Sequence, residues 1–163
     1  MRKQLLVGVI TGLAAFTLAG MGHETAQAAT LPADYQGDWV AYVGKTKHHH
    51  VNYYYTARLT LADTSLATQL NVTKNANLSD LTTQVTLQSA VTYQLKTTKK
   101  HQVSYKVRTA TDNASLGKFS LTKVKVKGQK TTALAFDDGE DDVVYAFRSL
   151  NKTHAWGDDV LYS

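Results

Sequence analysis

Apolar and polar residues alternate with a period of two along most of the chain, and this pattern predicts β-strands. The clearest run covers residues 51–61, where every odd position is apolar or aromatic and every even position except Tyr54 is polar or charged. A strand directs successive side chains to opposite faces of a sheet, whereas a helix would scatter these residues around its circumference. Residues 51–61 are therefore expected to form a half-buried strand.

Seven further segments carry strand signals, and polar turns separate most of them. They are residues 36–43, 66–72, 85–95, 103–109, 119–126, 134–136 and 143–147. Helix signals are scarce, because Thr and β-branched residues dominate and no long apolar stripe repeats every three to four positions. The tail after Leu150, which contains Trp156, is expected to cover an open end of the fold.

Two local irregularities carry their own predictions. Residues 44–50 are mostly polar and are interpreted as a turn after the first strand. Between Leu121 and Val124 the apolar positions change from odd to even numbers. Because a continuous strand keeps its apolar side chains on one face, this change predicts a bulge or bend near Thr122 and Lys123.

Eight short strands joined mostly by short turns predict an all-β fold, an antiparallel up-and-down meander. Closure into a barrel, complete or nearly so, would remove the exposed edges of such a sheet. A β-sandwich of two sheets fits the same number of strands and is the alternative.

The N-terminus has the layout of a secretion signal. Arg2 and Lys3 precede an apolar run over residues 5–19, and small residues follow at positions 26–28. The apolar run of about 15 residues is short for a membrane span, which needs about 20. We expect cleavage after Ala28, with Ala29 nearly as suitable. Residues 29–163 then form a single extracellular domain with no membrane span after cleavage. The sequence does not indicate whether this domain is a monomer or an oligomer.

The absence of cysteine excludes several kinds of chemistry. The chain contains no Cys, so it has no disulfides, no thiol nucleophile and no Cys-ligated metal. A secreted chain without cysteine is typical of bacterial export. The fold is expected to be stable through packing alone.

Positive charge is concentrated in one part of the chain. The net charge is +5, and residues 96–130 contain ten basic residues and only one acidic residue, Asp112. The strands here would attract an anionic wall polymer, lipid head groups or nucleic acid. The candidate polyanion-binding residues are Lys96, Lys99, Lys100, Lys106, Arg108, Lys123, Lys125 and Lys127. Specific nucleic-acid binding is not expected, since no aromatic residues alternate with these lysines as a stacking platform would require. The alternative is that the lysines simply alternate outward and guard strand edges.

No residues form a convincing metal or catalytic site. His48, His49 and His50 are weak candidates for metal ligands, because imidazole commonly binds transition metals. Neighbouring side chains diverge in an extended turn, so a solvated turn is favoured and no metal or cofactor is expected. Two Ser-x-x-Lys matches fall on predicted strands or the tail, and on a strand residues three apart point to opposite faces. The chain is therefore expected not to be an enzyme.

Gly37-Asp38-Trp39 opens the first predicted strand and resembles the start of lipocalin and related calycin barrels. These barrels begin with a Gly-x-Trp strand and often bring a basic residue from the last strand across that Trp. Arg148 follows the last predicted strand and matches that basic residue. Leu31-Pro32 together with Gly-x-Trp also resembles small secreted proteins of lactic acid bacteria. The lipocalin resemblance implies a barrel that carries a small apolar ligand.

Many aromatic residues are expected to point into such a barrel. An eight-stranded barrel has room for side chains or for one small ligand. The candidate ligand-binding residues are Trp39, Tyr53, Tyr55, Tyr93, Tyr105, Tyr145 and Arg148. The sequence thus favours a secreted, non-enzymatic binding protein that acts at or outside the bacterial cell surface on anionic wall polymers. A lipocalin-like carrier is the alternative, and an extracellular enzyme is the third hypothesis.

Overall fold

A computed structural model describes residues 28–97, 102–139 and 143–161, with the side chains of residues 158–161 outside the description. The predicted signal peptide, residues 1–28, therefore lies outside the described residues except for its last position. Eight strands and one helix follow in chain order. They are β1 (Gly37–His48), β2 (Val51–Leu61), β3 (Ser65–Thr73), β4 (Thr82–Thr97), β5 (Val103–Thr109), β6 (Ser115–Val126), β7 (Gln129–Asp137), β8 (Val144–Phe147) and α1 (Leu150–Leu161). No helix among the described residues has the length and hydropathy needed to cross a membrane.

The eight strands form a closed ring of antiparallel pairs. Each strand pairs with the next in sequence, and β8 pairs back to β1 through Val40–Phe147 and Ala41–Ala146. This short contact joins the first and last strands. The predicted all-β, up-and-down meander with a closed or nearly closed barrel is confirmed.

Side chains fill one half of the ring, and the segment before β1 plugs its end. Leu31 is fully buried and Tyr35 is nearly so. The Tyr35 ring meets Tyr105 edge-on at 4.9 Å, and its hydroxyl oxygen accepts a hydrogen bond from the Leu121 amide at 3.2 Å. The ladder between β5 and β6 reaches only to the Tyr105–Phe119 pair. The Tyr35 hydroxyl thus accepts the hydrogen bond from the Leu121 amide that the next residue pair of the β5–β6 ladder would otherwise satisfy.

Helix α1 packs against the outside of the ring, which corrects the prediction for the tail. The Trp156 ring lies 5.3 Å from Tyr145 and 5.9 Å from Phe147, and the Thr153 hydroxyl donates to the Val40 carbonyl at 2.8 Å. The prediction that the tail covers an open end was wrong, and the tail forms a helix although helix signals in the sequence are scarce. A short helix with weak intrinsic propensity is stabilised mainly by packing. The apolar outer face of β1, β6 and β8 supplies that packing.

Strand β6 contains no bulge at the predicted position. Its ladder with β7 runs without a register shift from Lys118–Asp137 to Val126–Gln129. Phe119 and Leu121 therefore face the interior, while Val124 and Val126 lie on the outer face beneath α1. The predicted bulge near Thr122 and Lys123 was wrong. The apolar positions change from odd to even because the first half of β6 packs its odd residues into the core, whereas the second half packs its even residues beneath α1.

The turn between β1 and β2 is much shorter than the predicted turn over residues 44–50. A register shift between Tyr42 and Gly44 absorbs one residue, and β1 continues to His48. The tip consists of His49 and His50, with φ angles of 46° and 66°. Two consecutive residues with positive φ are typical of the tight hairpin turn that matches strand twist.

Strand β4 extends past its neighbour and leaves part of the ring open. Thr82 to Ala90 pair with β3, whereas Val91 to Thr97 pair with β5. On the side away from β3, residues 82–89 have no partner strand among the described residues. The inner face of β4 is consequently exposed over this length, with Val85 44% and Leu87 39% accessible.

Candidate functional site

The strand register divides the basic residues between two faces of the sheet. Lys106 lies directly opposite Lys118 on the outer face of β5 and β6, and Arg108 follows on the same face. Lys123, Lys125 and Lys130 instead share the face that carries Phe119 and Leu121 in the interior. Lys99 and Lys100 lie outside the described residues. Lys96, on the outer face of β4, pairs with Ser104. The predicted basic residues therefore do not form one continuous patch.

The basic residues on the outer face of β5 and β6 are called here the outer group (Lys106, Arg108 and Lys118). Two of them make contacts within the fold. The Lys118 ammonium lies 2.8 Å from the Asp137 carboxylate, and Arg108 donates to the Asn113 carbonyl at 2.8 Å. The hydrogen bond from Lys118, together with the Gly139 amide, holds the pKa of the Asp137 carboxyl below its ordinary value. One of the three positive charges is thus balanced within the fold.

The other group lies on the hairpin that joins β6 and β7, called here the basic hairpin (residues 123–130). Lys125 lies directly opposite Lys130, and Lys123 is two residues earlier on the same face. Directly opposed side chains begin about 5 Å apart, and next-but-one positions along a strand about 7 Å apart. Tyr105 of β5 pairs with Phe119 of β6, and β5 begins only two residues before Tyr105. The basic hairpin therefore extends past the start of β5. Three ammonium groups are thus held close together at one end of the ring.

In the described part of the chain, no acid forms an ion pair with the opposed lysines. Like charges directly opposite each other destabilise a strand pair. Among the described residues, Lys125 and Lys130 form no ion pair, and Lys123 donates to the hydroxyl of Thr132. All three lysines are exposed. The hairpin therefore presents a concentrated positive field to solvent.

The basic hairpin is anchored from its other face. Val126 is buried and packs with Ala133 and Phe147, and Val124 and Trp156 border this cluster. The turn itself consists of Lys127 and Gly128, with φ angles of 46° and 79°. Because apolar contacts hold one face, the lysines on the opposite face project from a supported element instead of a free loop.

A second surface, called here the open apolar face, lies at the other end of the ring. It continues the inner face of β2, β3 and β4 beyond the buried core. Its residues are Val51, Tyr53, Tyr55, Val72, Val85 and Leu87. An open depression of about 320 Å³ borders it, lined partly by Tyr53, Val72, Lys74 and Asp80. This surface offers apolar contact with a polar rim.

The predicted ligand-binding aromatics are divided between the core, the open apolar face and the outside of the ring. Trp39, Tyr93 and Tyr105 are buried in the filled half of the ring. Tyr53 and Tyr55 are half-buried on the open apolar face. Tyr145 was expected to point inward, but it lies on the outer face and contacts Trp156. The error arose because β8 is apolar on both faces, so alternation alone did not identify the inner one.

Arg148 lies across Trp39 at the plugged end of the ring. Its guanidinium carbon is 3.8 Å from the centre of the indole ring. It donates to the Asp34 carbonyl at 2.7 Å and to the Asp38 carbonyl at 3.3 Å. The Trp39 indole in turn donates to the Tyr35 carbonyl at 2.8 Å. Arg148 thus fixes the segment before β1, far in sequence from its own strand.

The three consecutive histidines occupy the exposed end of the first hairpin. The rings of His48 and His49 pack edge to face with centres 4.1 Å apart. In the part of the chain that the structure describes, no three His, Asp or Glu side chains converge as metal ligands. The arrangement gives these histidines a role in the turn.

Sequence reasoning located the basic residues but missed the surface that Lys123, Lys125 and Lys130 share. Lys130 was counted only as part of the basic run, although it lies opposite Lys125. The pattern Lys-Val-Lys-Val at residues 123–126 was the available signal, because it separates charge from apolar surface on one strand. Comparison with known proteins finds no match to a family model, to a curated protein or to a solved structure.

Proposed function

We propose that this chain is a secreted, non-enzymatic binding protein that associates with an anionic polymer at or outside the bacterial cell surface. The basic hairpin supplies the contact. The observation that carries this proposal is the direct opposition of Lys125 and Lys130, both exposed and without ion pairs among the described residues. Phosphate or carboxylate groups of a polymer would provide the missing counter-charges.

The chemistry of lysine favours a polymer over a single small anion. An ammonium group is a compact, strongly hydrated charge that does not impose the planar geometry of a guanidinium. Each exposed ion pair contributes only about 0.2–1 kcal/mol. Several contacts must therefore form together, which requires anionic groups that repeat at short intervals. The predicted secretion signal favours an extracellular polymer.

The outer group of basic residues plays a supporting part. Lys106, Arg108 and Lys118 lie on the opposite face of the sheet, and Lys118 is paired with Asp137. Charges that do not touch the polymer still raise its local concentration through the long-range field. Ions screen this attraction over about 8 Å at physiological ionic strength. Binding is therefore expected to weaken as salt is added.

The proposal is tested by retention on bacterial cell walls, before and after extraction of their phosphate polymer. Lys123, Lys125 and Lys130 are replaced together by glutamine. We expect wild-type protein to bind intact walls at low salt and to be released as salt is added. The triple variant should bind about tenfold more weakly, from three contacts of about 0.5 kcal/mol each.

A matched control separates the hairpin from net charge. Lys45, Lys47 and Lys74 lie at the opposite end of the ring, beside the first hairpin and the end of β3. Their joint replacement by glutamine removes the same charge and is expected to leave binding within about twofold, since the hairpin contacts remain. Equal losses in the two triple variants, or retention that is indifferent to salt, would contradict binding through the basic hairpin.

A lipocalin-like carrier of a small apolar molecule is the second candidate. The observation in its favour is the open apolar face, where Val85 and Leu87 are 44% and 39% exposed beside the depression of about 320 Å³. Tyr53 and Tyr55 would contact such a ligand. Native mass spectrometry of protein purified from culture medium distinguishes the candidates, because a carried ligand adds mass that organic extraction removes.

A further inference from the structure

The free part of strand β4 directs defined backbone groups toward solvent. The Ala90 carbonyl accepts from the Ala110 amide at 2.8 Å, on the side of β5. The Val91 amide donates to the Thr64 carbonyl at 2.9 Å, on the side of β3. In an antiparallel strand these directions alternate residue by residue. Thr86 and Gln88 therefore direct both their N–H and their C=O toward the open edge.

This edge lacks the usual protection against strand pairing. Natural proteins guard free edges with charged residues, proline, bulges or covering segments. Residues 81–95 contain no charged residue, no proline and no glycine. A register shift interrupts the edge only near Gln84, and pairing with β3 is regular from Val85 to Ala90. The edge is thus open to another strand.

We propose that two copies of this chain associate by antiparallel pairing of their β4 edges, about a two-fold axis at Thr86. In this register Thr86 faces Thr86 of the second copy, and Val85 faces Leu87. Each pair joins residues of similar chemistry, as a two-fold interface requires of a single surface. Main-chain hydrogen bonds then continue the sheet from one copy into the other, as in strand addition.

The register follows from the backbone and side chains together. Between Val85 and Ser89, only the even-numbered residues Thr86 and Gln88 direct hydrogen-bonding groups to the open edge, so even positions must face even positions there. This condition places the inner faces of both copies on the same side of the joint sheet. Val85 and Leu87 then form apolar cross-strand pairs, which stabilise antiparallel strands. The uncharged edge also brings no like charges together in a chain whose net charge is +5.

Sedimentation velocity over a range of protein concentrations tests this pairing. Thr86→Pro removes the N–H that faces the edge without removing a bond to β3, and Thr86→Lys places like charges opposite each other at the axis. Gln69→Lys is the control, because Gln69 lies directly opposite Thr86 on β3, one strand away from the edge. We expect wild type and Gln69→Lys to form dimers at high concentration, and both Thr86 variants to remain folded monomers.

A disulfide test reports the register directly, because the chain has no other cysteine. Directly opposed residues have Cα atoms about 5.5 Å apart, within the range of disulfides. Oxidation of Thr86→Cys should give a covalent dimer much faster than oxidation of Thr92→Cys. Thr92 lies on the same strand and face but pairs with Arg108 of β5. A wild-type chain that stays monomeric at every soluble concentration, or equal cross-linking of the two variants, would overturn the proposal.

Discussion

At the scale of single residues, the contact between Arg148 and Trp39 joins the two ends of the folded domain. The guanidinium stacks on the indole 3.8 Å from its centre and donates to the carbonyls of Asp34, in the segment before β1, and Asp38, at the start of β1. Stacking of a cation on an indole and charge-assisted hydrogen bonds are each among the stronger surface interactions. One exposed side chain therefore connects the segment after β8 to the plug of the ring.

Replacing Arg148 by alanine is expected to lower the free energy of unfolding by about 2 kcal/mol, because stacking and two hydrogen bonds are lost together. Arg148→Lys should recover only part of this loss, since an ammonium lacks the planar fork. Urea denaturation measures both. Arg108→Ala is the control, because Arg108 makes one backbone contact in a turn. Similar losses for Arg108 and Arg148 would show that the stacked position has no special role.

At the scale of elements, helix α1 and the sheet form a second apolar layer outside the ring. Gly157 allows the close approach of the two, since a Cβ atom there would lie 2.9 Å from a carbon of the Tyr42 ring. The helix covers Val126 and Phe147, which would otherwise expose apolar surface. The same layer holds the outer face of the basic hairpin, so the helix supports the candidate site indirectly.

Gly157→Ala is expected to destabilise the protein although alanine favours helices by about 1 kcal/mol over glycine. The added methyl group would force α1 away from Tyr42, and such overpacking costs about 1–3 kcal/mol. Thermal and urea unfolding should therefore show a net loss of stability. Asn151→Ala, at an exposed position in the first turn of α1, should change it by less than about 0.5 kcal/mol. A more stable Gly157→Ala protein would mean that the helix does not dock closely.

At the scale of the whole molecule, stability depends on tyrosines buried at the filled end of the ring. Burial raises the pKa of the Tyr93 and Tyr35 hydroxyls above their ordinary value of 10.0. The folded state therefore keeps protons that the unfolded state releases as pH rises. The stabilisation from this burial is complete below pH 10 and declines as the pH rises above it.

We expect the urea midpoint to fall steadily from about pH 10 to about pH 12, and the two tyrosines to ionise only as the protein unfolds. Absorbance titration of tyrosinate, followed beside the unfolding transition, measures both effects. Tyr93→Phe should flatten the alkaline decline, because its ring has no proton to lose. Tyrosines that all ionise freely in the folded protein would contradict this expectation.

The two proposed surfaces belong to the same molecule and would act together. The basic hairpin binds through several weak contacts, whereas the β4 edge lies on another part of the ring. A dimer would carry two basic hairpins. Once the first hairpin has bound a polymer, the second is held near the same polymer at a high effective concentration. The dimer is not needed for polymer binding itself, and the hairpin variants do not alter the edge.

The sequence by itself determined the number and order of the strands, because period-two alternation is a local property that each segment carries alone. It also located the basic run, though not the face on which each lysine lies. Alternation shows that two faces differ but does not show what covers them. For this reason Tyr145 was placed inward and a bulge was predicted before Val124, because both residues pack in the outer layer with Trp156 of α1. Only the tertiary structure decided which apolar face turned inward, and thereby which lysines came together.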